Sequence, residues 1–132
     1  MQMQDRNAPK KWAVVASWVL LFASAIAFAS PSNKWRIQVS SDADSDGTVV
    51  FRIAPVKEAP IDITVAVPKG AGENHVAKLI RDAMRAKLGD AYRVEVDDGE
   101  DVLVKKRLGD ANFDLIITQK TVSGVRISLD KE

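Results

Sequence analysis

Residues 12–29, WAVVASWVLLFASAIAFA, run for eighteen residues without a charge, and this segment limits what the rest of the chain can become. A small soluble fold has no place for it. Its length and apolarity match a secretory apolar region or a membrane-spanning helix, which needs roughly 20 apolar residues. Arg6, Lys10 and Lys11 precede the run, and Ala25, Ala27 and Ala29 give it a small-residue end before Pro31. A basic start, an apolar middle and a small-x-small close form an export signal, with cleavage expected after Ala29. The alternative is a retained membrane anchor, whose N-terminus the three cations would hold in the cytoplasm. Both readings export residues 30–132 to a periplasmic, cell-envelope or extracellular site. Membrane contact is expected only through residues 12–29 where they stay uncleaved. The fold is thus confined to 103 residues, enough for one domain and one core.

The chain carries 19 basic and 18 acidic side chains. Arg6, Lys10, Lys11 and Asp5 lie before the apolar run, so the exported part is close to neutral. This balance argues against a nucleic-acid binder, whose domain would show a strong basic excess. There is no cysteine, which excludes thiol catalysis, thiolate metal sites and disulfides. Packing must supply the stability, and the few aromatics of the exported part, Trp35, Phe51, Tyr92 and Phe113, are expected in the core.

Hydrophobic periodicity outlines the domain. Trp35, Ile37 and Val39 alternate with polar residues over 34–39, and Val49, Phe51 and Ile53 do the same after the acidic loop 40–47, the period-2 pattern of half-buried strands. These two strands are expected to pair as a hairpin. Pro55 and Pro60 bracket a connection, because a proline has no amide to donate to a ladder. Ile61, Ile63, Val65 and Val67 form a third strand, stopped by Pro68. After Lys69-Gly70-Ala71-Gly72, the spacing of Val76, Leu79, Ile80, Ala83, Met84 and Leu88 predicts a helix over 73–88 with Gly89 as its C-cap. Period 2 then returns around Tyr92, Val94 and Val96, around Val102 and Val104, around Phe113, Leu115 and Ile117, and around Val125, Ile127 and Leu129. Turns are expected at Asp98-Gly99 and Ser123-Gly124. The expected class is α+β: a mainly antiparallel sheet of about six to seven strands with one helix across one face, following the N-terminal signal or anchor helix.

From Gly47 to Leu129, the segments IDITVAVPKGAGENHVAKLIRDAMRAKL and YRVEVDDGEDVLVKK set two strands, a Gly-containing turn, an Ala-rich helix and a hairpin in succession. That order resembles the small ββαββ modules of flagellar hook-associated and phage tail proteins. The resemblance implies an assembly or scaffold module rather than an enzyme.

Five features could carry chemistry or binding. Asp42-Ala43-Asp44-Ser45-Asp46-Gly47 matches the first six positions of a calcium loop, in which alternate carboxylates converge. The twelfth position, which should hold a bidentate carboxylate, is Ile53, so Asp42, Asp44 and Asp46 are candidate ligands for weakly bound calcium at most. The competing reading is a solvated acidic loop. Asp97, Asp98, Glu100 and Asp101 surround Gly99; carboxylates do hydrolytic work across a cleft, whereas a tight turn puts them in water. His75 is the only histidine and stands in the first helical turn with no G-x-S-x-G motif anywhere, the pattern of a surface residue. Gly70 and Gly72 fit neither phosphate-loop motif and shape the approach to the helix. Lys78, Arg81 and Arg85 gather opposite the apolar stripe, a solvated face that is also the best-defined charged surface for an acidic partner.

The expected function is non-catalytic: binding of a protein partner, or self-assembly, through surface and sheet edges, with no cofactor and no nucleic acid. A weak calcium-dependent module through Asp42, Asp44 and Asp46 is the second reading, and a small secreted hydrolase the third. The processing step is testable directly. Intact-mass measurement of the native protein is expected to find a chain beginning at Ser30, whereas a full-length species extracted from membrane would establish the anchor.

Overall fold

The computed structural model describes residues 31–107 and 112–132. The apolar run 12–29 and its cleavage position lie outside them. Seven strands and one α-helix follow in order: β1 Lys34–Ser40, β2 Gly47–Pro55, β3 Ile61–Val67, α1 Glu73–Leu88, a 3-10 turn Gly89–Ala91, β4 Tyr92–Asp97, β5 Asp101–Lys106, β6 Phe113–Lys120 and β7 Arg126–Lys131. Every pairing is antiparallel. The domain is α+β, as the periodicity predicts.

Its strands form two sheets rather than one, ordered β4-β5-β1-β7 and β3-β2-β6. The expected β1–β2 hairpin is absent. Ile37 of β1 stands opposite Val102 and Leu129, while Phe51 of β2 stands opposite Ile63 and Ile117. The reason is coverage. Seven strands at about 4.8 Å spacing make a face some 30 Å wide, and a helix about 10 Å across cannot bury it. Two smaller sheets whose apolar faces meet in one core solve this, and loop 41–46 carries the chain from the first sheet to the second.

All the alternating apolar positions of β1, β2 and β3 point into that core. Trp35, Ile37, Val39, Val49, Phe51, Ile53, Ile63, Val65 and Val67 are buried. All four aromatics of the described residues are buried with them. Helix α1 packs chiefly against β3 and β4, edge strands of the two different sheets, and also against β5 and β1, so it bridges the two layers. It buries Val76, Ala77, Ile80, Met84 and Leu88; Leu79 and Ala83, placed in the stripe by spacing alone, are only partly covered. At its end Gly89 adopts φ 62°, and its amide donates to the Arg85 carbonyl. A side chain rarely tolerates such an angle, which is why the helix stops at a glycine.

The topology sorts the connections into two ends. One end holds the starts of β1, β4 and β6, the end of β5 and the β2–β3 turn; there Ser32 and Phe113 exchange two backbone hydrogen bonds of 3.0 and 2.8 Å across the two sheets. The opposite end holds loops 41–46, 68–72, 98–100 and 121–125. Among the described residues no helix is long and apolar enough to cross a membrane.

Ile80 is completely buried on the helix that bridges the sheets. Ile80→Asp would place an unpaired carboxylate there at a cost of several kcal/mol, comparable with the roughly 5–15 kcal/mol stability of a whole domain. Circular dichroism of this variant is expected to show loss of the folded state at room temperature, and a native-like thermal transition would refute the assignment of this face to the core.

Candidate binding surfaces

The end that gathers loops 41–46, 68–72, 98–100 and 121–125 is acidic, and it joins the two acidic segments that the sequence leaves far apart. Asp42, Asp44 and Asp46 are exposed, while Ala43 between them is buried. The backbone explains this. The Ala43 amide donates to the Ala71 carbonyl at 2.9 Å, the Gly70 amide to the Ala43 carbonyl at 2.8 Å, and the Asp44 amide to the Ser123 carbonyl at 2.8 Å. Loop 41–46 is therefore a three-way knot that ties the α1 approach to the β6–β7 connection. Asp46 accepts from the Lys69 amide at 2.7 Å, and Glu73 accepts from the Ser41 amide at 3.3 Å. Gly124 fits where nothing larger would: its φ is 90°, and a Cβ would lie 2.5 Å from the Asp42 carbonyl oxygen. Among the described residues no three acidic or histidine side chains converge as a metal-binding group. The carboxylates of this loop serve backbone amides and solvent.

The β4–β5 turn is built as its sequence predicts, with Asp98 at φ 52° and Gly99 at φ 83°. Its flanking carboxylates are not left to water, however. Arg36, on the outer face of β1, reaches across to Asp101 at 2.7 Å and Asp97 at 3.1 Å, and on its other side to Glu132 at 3.1 Å. The hydrogen bonds to Asp101 and then to Glu132 hold the guanidinium pKa above its ordinary value. One cation thus joins β1, β4, β5 and the residue after β7. On the other sheet, Arg52 clasps Asp62 through two hydrogen bonds of 2.8 and 3.0 Å, and these hold the Asp62 pKa below the usual carboxylate value.

The opposite end is basic. Cross-strand register sets Lys34, Lys105 and Arg93 directly abreast on β1, β5 and β4, all on the outer face. Like charges directly opposite each other in a sheet are destabilising. Lys106 lies with its ammonium 4.5 Å from the centroid of the Tyr92 ring. A shallow cleft of about 230 Å³ is lined by Arg93, Lys105, Lys106 and Arg107, and an adjoining one of about 380 Å³ shares Arg93 and Arg107 and adds Arg85 together with Asp90 and Glu95. Among the described residues, only Arg93 of these cations forms a salt bridge, to Glu95 at 3.4 Å.

The three cations of the helical stripe, Lys78, Arg81 and Arg85, are held in different ways. Lys78 is exposed, and Arg81 is held by its neighbour Asp82 at 2.9 Å. Arg85 is anchored on the edge of β4, where its Nε donates to the Val94 carbonyl at 2.8 Å. Arg85 therefore belongs with the basic end, and it covers an edge carbonyl that would otherwise face solvent. His75 is exposed at the helix start. Sequence reasoning missed both Arg36 and the Lys34–Lys105–Arg93 row. The signal for the row was present as outward positions on three strands, but only the register brings them together.

No protein family, curated protein or solved structure matches this chain.

Tyr92, the only tyrosine, sits at the basic end with its ring edge-on to Phe113 at 5.2 Å. Its hydroxyl is buried without a hydrogen-bond partner among the described residues. Burial, with a smaller contribution from the charge of Glu58, pushes its pKa above the ordinary 10.0. The unfolded chain therefore ionises first as pH rises. Stability is fully present below about pH 10 and falls as pH climbs from there through the raised native value. Ultraviolet titration is expected to show phenolate appearing later in the native protein than in urea, and coincident curves would contradict the buried environment.

Proposed function

We propose that residues 30–132 form an exported, non-catalytic module that binds a protein partner or a second copy of itself along the free edge of β6. The observation that supports this most directly is the contrast between two edge strands. β7 carries Arg126, Asp130 and Lys131, the charges by which edge strands commonly resist adding another strand. β6 presents the uncharged run Leu115-Ile116-Ile117-Thr118-Gln119, with Ile116 exposed to 45%. Among the described residues its outer edge is engaged only at Phe113, by the Ser32 bridge and the Trp35 indole N–H. A bulge where Val50 opposite Gln119 gives way to Phe51 opposite Ile117 interrupts the ladder towards the end of the strand. The stretch 115–117 before it is apolar and has no partner strand on its outer side among the described residues, the arrangement by which an extended segment joins a sheet.

The resemblance of residues 47–129 to small assembly modules points the same way. Burial of all four aromatics favours sheet edges over a stacking platform for sugars or bases. The acidic loop supports the calcium reading less well, because its backbone is already committed to holding three loops together.

The test uses Ile116→Glu. This position faces solvent directly opposite Arg52, so the new carboxylate meets an opposite charge across the strands and the variant is expected to fold with its thermal midpoint nearly unchanged. Capture of a partner from native envelope, or self-association measured by sedimentation, is expected to be lost in this variant and kept in Arg126→Ser on the opposite edge. Equal behaviour of the two variants would remove β6 from consideration.

A further inference from the structure

The basic end has a shape and position that neither the β6 edge nor the acidic loops explain. We infer that it is a docking surface for the anionic headgroups of a phospholipid membrane.

Three observations converge on this. The first is the row Lys34–Lys105–Arg93. Its members lie on adjacent strands about 4.8 Å apart, so the row spans about 10 Å with no acid between its members. A row of that span suits several phosphates side by side better than a single ion. The fold keeps this repulsion although Arg36, one row further along the same face, is matched by three carboxylates. The second is its surroundings. Lys106 and Arg107 extend the cationic surface into the smaller cleft, which no acid lines, while the larger one mixes Arg85, Arg93 and Arg107 with Asp90 and Glu95; the neighbouring β2–β3 turn exposes Val56 to 45% between Pro55 and the Lys57-Glu58 pair. A cationic field with an exposed apolar side chain is the composition of an interfacial membrane contact. The third is the sequence itself. The apolar run ends at Ala29 and β1 begins at Lys34, and the chain between them spans less than about 20 Å when fully extended. In a chain retained through residues 12–29, this limit keeps Lys34 within that reach of the bilayer.

The occupant is thus a phosphate-bearing lipid surface. Each cation near such a surface contributes modestly, and the effect is confined to about a Debye length, so it should vanish at high salt. The inference does not rest on β6.

Amine-reactive labelling of the full chain, read residue by residue by mass spectrometry, tests it. The chain is added to or reconstituted into vesicles of phosphatidylglycerol or of phosphatidylcholine, so that insertion of an apolar segment would be common to both. Phosphatidylglycerol is expected to protect Lys34, Lys105 and Lys106 about fivefold over phosphatidylcholine, to leave Lys69 and Lys120 at the acidic end unchanged, and to lose the effect in high salt. Lys105→Gln combined with Arg107→Gln, checked for an unaltered thermal midpoint, is expected to abolish protection of Lys34. Equal labelling in the two lipids, or protection at both ends alike, overturns the proposal. Equal protection by millimolar inorganic phosphate without vesicles also overturns it in favour of a single-ion site.

Discussion

The architecture depends on two small sheets closing against each other, and the closure is fastened at Phe113. The Phe113 carbonyl, in one sheet, accepts the Ser32 amide and the Trp35 indole N–H at 2.9 Å from the first segment of the other. Its ring meets Tyr92 edge-on, and its backbone stands opposite Pro55 at the end of β2. Three strands and the N-terminal approach thus meet on one residue that is fully buried. At the other end the knot of loops around Ala43 does the equivalent work with backbone hydrogen bonds. Between these two fastenings the core fills with branched aliphatic side chains, and α1 closes the side where β3 and β4 would otherwise stand apart. With no disulfide available, this division of labour between a packed centre and two tied ends is what a cysteine-free domain can use.

The charges follow the same axis. The strands and the helix that runs back between β3 and β4 deliver each connection to one end or the other, and the acidic tracts 42–46 and 97–101 both arrive at one end. Lys34, Arg93, Lys105, Lys106 and Arg107 arrive at the other. A formal net charge of +1 conceals this separation completely. Arg36 stands where the two regions meet, and its three carboxylate partners show how readily the fold satisfies a cation when doing so serves stability alone.

Much of this fold is legible in the residues. The helix boundaries follow from the apolar spacing and from Gly89, and the six strand patterns through Leu115 and Ile117 locate the ladder segments closely; the seventh begins at Arg126, just after buried Val125. Alternation reports which face of a strand is buried but not which strand lies beside it, so the β1–β2 pairing was misread and the division into two sheets stayed hidden. Coverage arithmetic could have exposed the second error, since one helix is too narrow for seven strands. Ala77 escaped because alanine carries little weight in an apolar pattern. The candidate sites were less legible. Asp42, Asp44 and Asp46 show the spacing of a metal loop, but their backbone is occupied in joining loops more than twenty residues away. Arg85 reads as one of three solvated cations, and only the tertiary contact with Val94 separates it from Lys78 and Arg81.

A domain under selection for stability alone has simple remedies for the two anomalies that remain. One charged residue in place of Ile116 would protect the β6 edge in the way Arg126 and Lys131 protect β7. One acidic residue in place of Lys105 would turn the repulsive row into a pair of cross-strand attractions with Lys34 and Arg93. Neither remedy needs a change in the core, because both positions lie on outer faces. The two features also sit in different places, one along an edge and one across an end, so a single partner need not account for both. An end that meets an anionic surface and an edge that accepts a strand are mutually compatible: the first would orient the domain, and the second would stay open to a neighbour beside it.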